Sequence, residues 1–164
     1  MKKLLILILC ISLAVVLISC SKPENNDPPV NVVFKTYDRK GNPYDQSIFA
    51  ESKLTLINFW EPWCPPCVDE MPDLEKIYEQ YKDKGLNIIG VYSSFDMEND
   101  VDDVLEDAGT TYLILKYTEA FDQFQTGYVP TTVFINKKGQ VVGEAIIGSM
   151  SYEEWANKVE ELLK

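Results

Sequence analysis

Ten residues, Asn58-Phe59-Trp60-Glu61-Pro62-Trp63-Cys64-Pro65-Pro66-Cys67, constrain this chain more than any other stretch. A nearly continuous apolar run, Leu54 to Phe59, leads into them, as expected of a central strand covered on both faces. Apolar residues at Leu74, Ile77, Tyr78 and Tyr81 then recur at helical spacing. A strand-to-helix junction of this kind sets the first cysteine at the start of a helix and the second one turn inside. The free N–H groups and partial positive charge at a helix start favour an anion. A thiolate is such an anion, so position alone makes Cys64 the more reactive thiol.

The use of the other cysteines narrows the chemistry. Met1-Lys2-Lys3 followed by the apolar run Leu4 to Ile18 has the form of a signal segment, too short for a membrane span of about 20 residues. The run meets Leu17-Ile18-Ser19-Cys20, which looks like a bacterial lipoprotein signal with Cys20 as the lipid-carrying first residue of the mature protein. Residues 1–19 are therefore expected to be a signal peptide, 20–30 a lipidated, Pro-rich linker and 31–164 the folded domain. An uncleaved anchor is the alternative, and both readings place the domain outside the cytoplasm. With Cys10 in the signal and Cys20 lipidated, only Cys64 and Cys67 remain to pair. A disulfide across four residues constrains the unfolded chain little, so the pair is read as redox-active rather than structural. A zinc site would need further ligands, and the chain has no histidine at all. That absence also excludes a Cys–His hydrolase.

The chain carries a formal charge of −11, which becomes −13 once Lys2 and Lys3 leave with the signal. Such an acidic domain argues against nucleic acid and against broad docking on anionic lipid. Contact with the membrane is expected through the tether alone.

Read in order, Val32 to Tyr37 and the stretch near Ile48 suggest a short hairpin around Asp38-Arg39-Lys40-Gly41-Asn42-Pro43, laid against a sheet edge. A helix from about Pro65 to Lys84 follows the Leu54–Phe59 strand, with a kink expected at Pro72 and a stop at Gly85. Ile88 to Tyr92 is a second apolar strand, parallel to the first through a βαβ unit. Val101, Val104, Leu105 and Ala108 mark another helix, Tyr112 to Leu115 a short strand, and Thr118 to Gln125 a short helix. Thr132–Ile135 and Val141–Ile147 are joined through the tight turn Asn136-Lys137-Lys138-Gly139. Ser151 with Glu154 forms a capping box for a last helix facing inward through Trp155, Val159, Leu162 and Leu163. This order gives one α/β domain with a thioredoxin-like fold, an N-terminal β-hairpin, and an αβ insertion of roughly Phe95 to Leu115 after the second core strand.

The chemistry expected of Cys64 and Cys67 is thiol–disulfide exchange, with Cys64 attacking and Cys67 resolving the mixed disulfide. No cofactor is needed beyond this redox-active pair. Pro65 and Pro66 have no N–H, so two donors that could stabilise the Cys64 thiolate are missing. Glu61 would disfavour the thiolate further if it points inward. Both effects favour a reductant over a strong oxidant. Glu70 shares a helical face with Cys67, Leu74 and Tyr78; buried there, it would have a raised pKa and could carry the Cys67 proton, whereas in solvent it would be an ordinary first-turn glutamate. Val129-Pro130, at the start of an apolar strand, is a candidate cis peptide. In proteins of this fold such a proline sits opposite the cysteines, and the residue before it offers its backbone to substrate. Trp60 is assigned to the core and Trp63 to the exposed rim, where Pro65 and Pro66 also face substrate.

The run Phe59-Trp60-x-x-Trp63-Cys64-Pro65-Pro66-Cys67-x-x-Glu70-Met71-Pro72, with Gly127-Tyr128-Val129-Pro130-Thr131, resembles the TlpA/ResA family of membrane-tethered thiol–disulfide oxidoreductases. The resemblance implies that Glu70 is an active-site acid. Asn58 stands where cytoplasmic thioredoxins carry a buried aspartate, consistent with the proton role having moved to Glu70. Glu61-Pro62 departs from the small or polar pair commoner before Trp-Cys. The resemblance further implies electrons from a membrane thiol carrier of the CcdA/DsbD type. It implies clients such as apocytochrome c and extracytoplasmic methionine sulfoxide reductases. A disulfide oxidase or isomerase would use the same residues. A peroxiredoxin would need Thr or Ser where Glu61 and Pro62 stand, and a purely client-holding lipoprotein would not need the cysteines.

Overall fold

The computed structural model describes residues 31–164; the expected signal peptide, the expected lipidation at Cys20 and the expected linker to residue 30 lie outside the described residues. Leu54–Phe59 (β3) is buried at all six positions because it occupies the centre of a five-stranded sheet. Leu86–Tyr92 (β4) lies parallel to it on one side, followed by Leu113–Lys116 (β5) at that edge, also parallel. Thr131–Asn136 (β6) runs antiparallel on the other side, and Val141–Ile147 (β7) closes the second edge. The spatial order β5-β4-β3-β6-β7 is the mixed sheet of a thioredoxin-like fold. A separate two-stranded sheet, Lys35–Tyr37 (β1) with Pro43–Asp45 (β2), stands at the N-terminal end.

Strand alternation sorts the core into two layers. Leu54 and Leu56 meet the buried face of Pro65–Tyr81 (α1) and of Tyr152–Leu162 (α3), through Met71, Leu74, Ile77, Trp155 and Val159. Ile57 and Phe59 point the other way, into a cluster with Val32, Phe34, Phe49, Phe121 and Val133. Asn58 shares the parity of Leu54 and Leu56, so it faces α1 from within the sheet. That parity builds the site described below.

Several local expectations are met at their stated signals. Ser151 and Glu154 form the capping box of α3, and Gly85 ends the 3₁₀ extension of α1 at a φ of 105°, which favours glycine. The helix continues through Pro72 as one element. Three details differ. The second hairpin strand is Pro43–Asp45, while Ile48 lies in a 3₁₀ turn, Gln46–Glu51, begun by the Asp45 side chain accepting from the Ser47 N–H. The short helix after Thr118 is also 3₁₀, Glu119–Phe124. Its two buried aromatics, Phe121 and Phe124, are spaced by three, which a three-residue turn places on one line. The inserted unit consists of Glu98–Asp107 (α2) and β5, so its strand ends one residue later than expected.

The hairpin does lie at the β5 edge: Thr36 donates through Oγ1 to the Lys116 carbonyl, and Asp38 bridges Leu115. At the start of the described chain Asn31 bridges Gln140, and the Val32 N–H donates to the Gly139 carbonyl at 2.8 Å. Phe34 then inserts between Phe49 and Phe121, at centroid distances of 5.6 and 5.1 Å. The N-terminal segment is thus part of the core rather than an appendage. Phe34→Ala is expected to lower stability by about 3–5 kcal/mol, the usual cost of emptying an aromatic site. Urea denaturation checks this, and a change below about 1 kcal/mol would show the segment to be dispensable.

Candidate active site

Cys64 is the N-cap of α1, in extended conformation, with Pro65 and Pro66 as the first two helical residues. Proline suits these positions because its missing N–H would have no helical partner there. The first N–H able to turn back toward the cap is that of Cys67, which donates to Cys64 Sγ at 3.3 Å. The two cysteines are joined by a disulfide, with Cα atoms 5.3 Å apart. Cys64 is 4% exposed and Cys67 0%, so only Cys64 offers a surface to an attacking or attacked sulfur. Pro65 and Pro66 are exposed beside it.

Across from Cys64 stands the start of β6. The Val129–Pro130 bond is cis, as the sequence suggested. The Val129 carbonyl oxygen lies 3.5 Å from Cys64 Sγ. A disulfide sulfur has no proton, so this is a contact in the oxidised form, whereas a Cys64 thiol could donate to that oxygen. Pro130 is buried and Val129 half-buried. Thr131 Oγ1 donates to the Tyr128 carbonyl at 2.7 Å, which ties the loop to the strand.

Glu70, one turn beyond Cys67 on the inward face of α1, is 3% exposed. Asn58 Nδ2 donates to its Oε1 at 3.0 Å and the Met150 N–H donates to its Oε2 at 3.2 Å. Burial pushes its pKa up to about 7, and the Asn58 and Met150 donors moderate the rise. The Trp155 indole N–H adds a smaller lowering effect without reaching hydrogen-bond geometry. A carboxyl with this pKa exchanges a proton near neutrality, as a proton carrier must. Asn58 does more than fail to be a base. It also donates to Thr132 Oγ1 at 3.0 Å and so links sheet and helix.

Glu61 is buried but does not face Cys64 as a free charge. Its carboxylate accepts from the Ser93 N–H at 2.9 Å, the Ser94 N–H at 3.1 Å, and the Ser93 hydroxyl. Trp60 is 1% exposed and Trp63 59%, in line with their assignment to core and rim. The Trp63 indole N–H donates to Ser94 Oγ at 3.0 Å. Ser93, Ser94, Met150 and Thr132 are the residues that sequence reasoning missed. Only the position of Ser93 and Ser94, just past the C-terminal end of β4, could have pointed to them, since sites in α/β sheets gather at that end.

A family model described as Redoxin matches residues 24–159. The ResA thiol-disulfide oxidoreductase of Geobacillus kaustophilus is 30% identical over 131 residues, which is 79% of this chain and 74% of that protein. The chain belongs to the Redoxin family, with ResA-type relatives. The ResA of Halalkalibacterium halodurans is 34% identical over 116 residues, 70% of this chain. The matched stretch spans 64% of that relative, a little under two thirds of its length. In fold, a crystal structure of a thioredoxin family thiol:disulfide interchange protein from Chlorobium tepidum TLS superposes with a TM-score of 0.72, at 24% identity, over 85% of this chain and 99% of that one.

For this Redoxin-family chain the buried acid has a consequence for stability. Folded Glu70 keeps its proton up to about pH 7, whereas the unfolded chain releases it near 4.5. The native state therefore binds more protons between these values, and stability falls as pH rises through that window. Above it the ionised, buried carboxylate costs on the order of 3 kcal/mol. Glu70→Gln should flatten this dependence, gaining up to about 3 kcal/mol on the wild type between pH 4.5 and pH 8. Denaturant midpoints of the oxidised proteins at both pH values test it. A pH-independent difference would mean that Glu70 ionises as an ordinary glutamate.

Proposed function

We propose that this chain is a thiol–disulfide oxidoreductase that reduces disulfides in client proteins, held outside the cytoplasm by a lipid on Cys20. The observation that carries the reading is the arrangement at the start of α1. The attackable Cys64 caps the helix beneath the Val129 carbonyl, the inaccessible Cys67 lies one turn in, and a buried acid of near-neutral pKa follows one turn further.

In the reduced enzyme the Cys64 thiolate attacks one sulfur of a client disulfide. The Cys64–client bond forms and the other client sulfur leaves as a thiolate. The extended client segment aligns along Val129, whose backbone edge beside Pro130 is open to it, with Trp63, Pro65 and Pro66 forming the opposite wall. Ionised Glu70 then takes the Cys67 proton, and the Cys67 thiolate attacks Cys64 Sγ. The client sulfur leaves and takes up a proton, and the Cys64–Cys67 disulfide is restored with two electrons delivered.

Direction follows from the donors available to the Cys64 thiolate. Oxidants of this chemistry depend on a strongly stabilised thiolate. Here the two prolines contribute no N–H, and the Cys67 N–H at 3.3 Å is the backbone donor within reach. A less stabilised thiolate gives a more reducing couple. The resemblance to TlpA/ResA proteins supports a membrane thiol carrier of the CcdA/DsbD type as electron source. It supports apocytochrome c or extracytoplasmic methionine sulfoxide reductases as clients.

Equilibration against glutathione or dithiothreitol buffers should give a potential near −270 mV for the Cys64–Cys67 couple, as in reducing thioredoxins. A value near −120 mV would mark the chain as an oxidant. In parallel, Cys67→Ser should accumulate mixed disulfides between Cys64 and client proteins, resolved by dithiothreitol on non-reducing gels. Absence of such adducts would favour a chain that only holds its partners.

A further inference from the structure

Glu61 is a buried carboxylate that the exchange steps leave without a task. It is 6% exposed, and none of the ion pairs among the described residues includes it. An interior carboxylate is costly unless it is hydrogen-bonded. Among the described residues, all of its side-chain hydrogen bonds come from one dipeptide, Ser93-Ser94, through two backbone N–H groups and the Ser93 hydroxyl. Three donors on one charge fix that dipeptide firmly, because hydrogen bonds to an ionised acceptor are the strong ones.

The fixed dipeptide in turn holds an aromatic side chain. Ser94 Oγ accepts from the Trp63 indole N–H at 3.0 Å, although Trp63 is 59% exposed. An indole so exposed would otherwise sample several rotamers. A second exposed aromatic, Tyr128 at 70%, directly precedes Val129, whose carbonyl oxygen lies against Cys64 Sγ. Each of the two segments that meet at Cys64 thus carries an exposed aromatic, and the one preceding the cysteine is tied in place through Glu61.

We propose that Glu61 is a positioning residue for protein clients: through Ser93-Ser94 it sets the Trp63 indole in one orientation beside Cys64, ready to receive the apolar residues flanking a client disulfide. This rests on the reading that the chain exchanges disulfides with proteins. Ordering the indole before the client arrives removes that entropy cost from the binding step, so the effect falls on client binding rather than on sulfur chemistry. A charge effect of Glu61 on the Cys64 thiolate would instead change the reaction with every disulfide alike.

The test compares reduction of insulin, a protein disulfide with apolar flanks, and of bis(2-hydroxyethyl) disulfide, which is too small to use the rim. In the full chain, Glu61→Gln and Ser94→Ala are each expected to raise KM for insulin about fivefold while kcat stays within about twofold. Rates with the small disulfide are expected to match the wild type. In a Trp63→Ala background, Glu61→Gln should cause no additional loss, since its target is gone. Ser94→Ala leaves the backbone donors to Glu61 in place and carries the test alone if Glu61→Gln does not fold. An undiminished loss in the Trp63→Ala background overturns the proposal, as does an equal change with the small disulfide or no change with insulin. If the wild type reduces neither disulfide, the functional reading fails and the proposal with it; if it reduces both and the variants match it, the proposal alone fails.

Discussion

The contact between Asn58 of the central strand and Glu70 of the first helix is the constraint on which the rest of the site depends. Asn58 is the polar interruption in the helix-facing row Leu54, Leu56, Asn58 of the central strand, and Glu70 the polar interruption in the inward stripe of the helix. Each would be a liability alone, since an interior amide or carboxyl without a partner costs several times what a hydrogen bond contributes. Together, with Thr132 and the Met150 N–H, they form a linked set of donors and acceptors that joins α1 to the sheet. Because Cys64 caps that helix and Cys67 lies on its buried face, the register of the contact also sets where both sulfurs stand.

The same arrangement explains why the buried acid titrates near neutrality. Desolvation alone would carry Glu70 far toward the neutral form, while the amide and backbone donors favour the anion. The balance leaves both forms accessible at working pH. A fully solvated glutamate would be too weak a base, and an unpartnered buried one would hold its proton too tightly.

Much of this was legible in the sequence because it followed from periodicity and spacing. The apolar run before Trp60, the helical stripe after Cys67 and the turn residues between elements placed the order of elements along the chain and the cysteines correctly. Counting three from Cys67 put Glu70 on the helical face of Cys67, Leu74 and Tyr78 but left buried and solvated readings open, and an X-Pro at a strand start pointed to the cis Val129–Pro130 bond. What escaped were partners fixed by tertiary approach. Met150 and Glu70 are 80 residues apart, and Glu61 and Ser93 are 32 apart. No local pattern marks such pairs. The sign of Glu61's influence was likewise unreadable, since it depends on whether the carboxylate turns toward the sulfur or toward the loop after β4. The 3₁₀ turn Glu119–Phe124 was misjudged for a different reason: over six residues a helical stripe and a three-residue repeat of aromatics cannot be told apart.

The bridge between Asn31 and Gln140, at the far turn of the β6–β7 hairpin, has a bearing on geometry at larger scale. β3 and β6 run antiparallel, so Phe59 meets Thr131 at one end of the sheet and Leu54 meets Asn136 at the other. Cys64 follows Phe59, whereas Asn31 joins beside the Asn136–Gly139 turn. Asn31 therefore stands at one pole of the domain while the sulfurs open at the other, about 20 Å away across a six-residue strand. A domain suspended from that pole would turn its reactive face outward, like a lamp hung by its base.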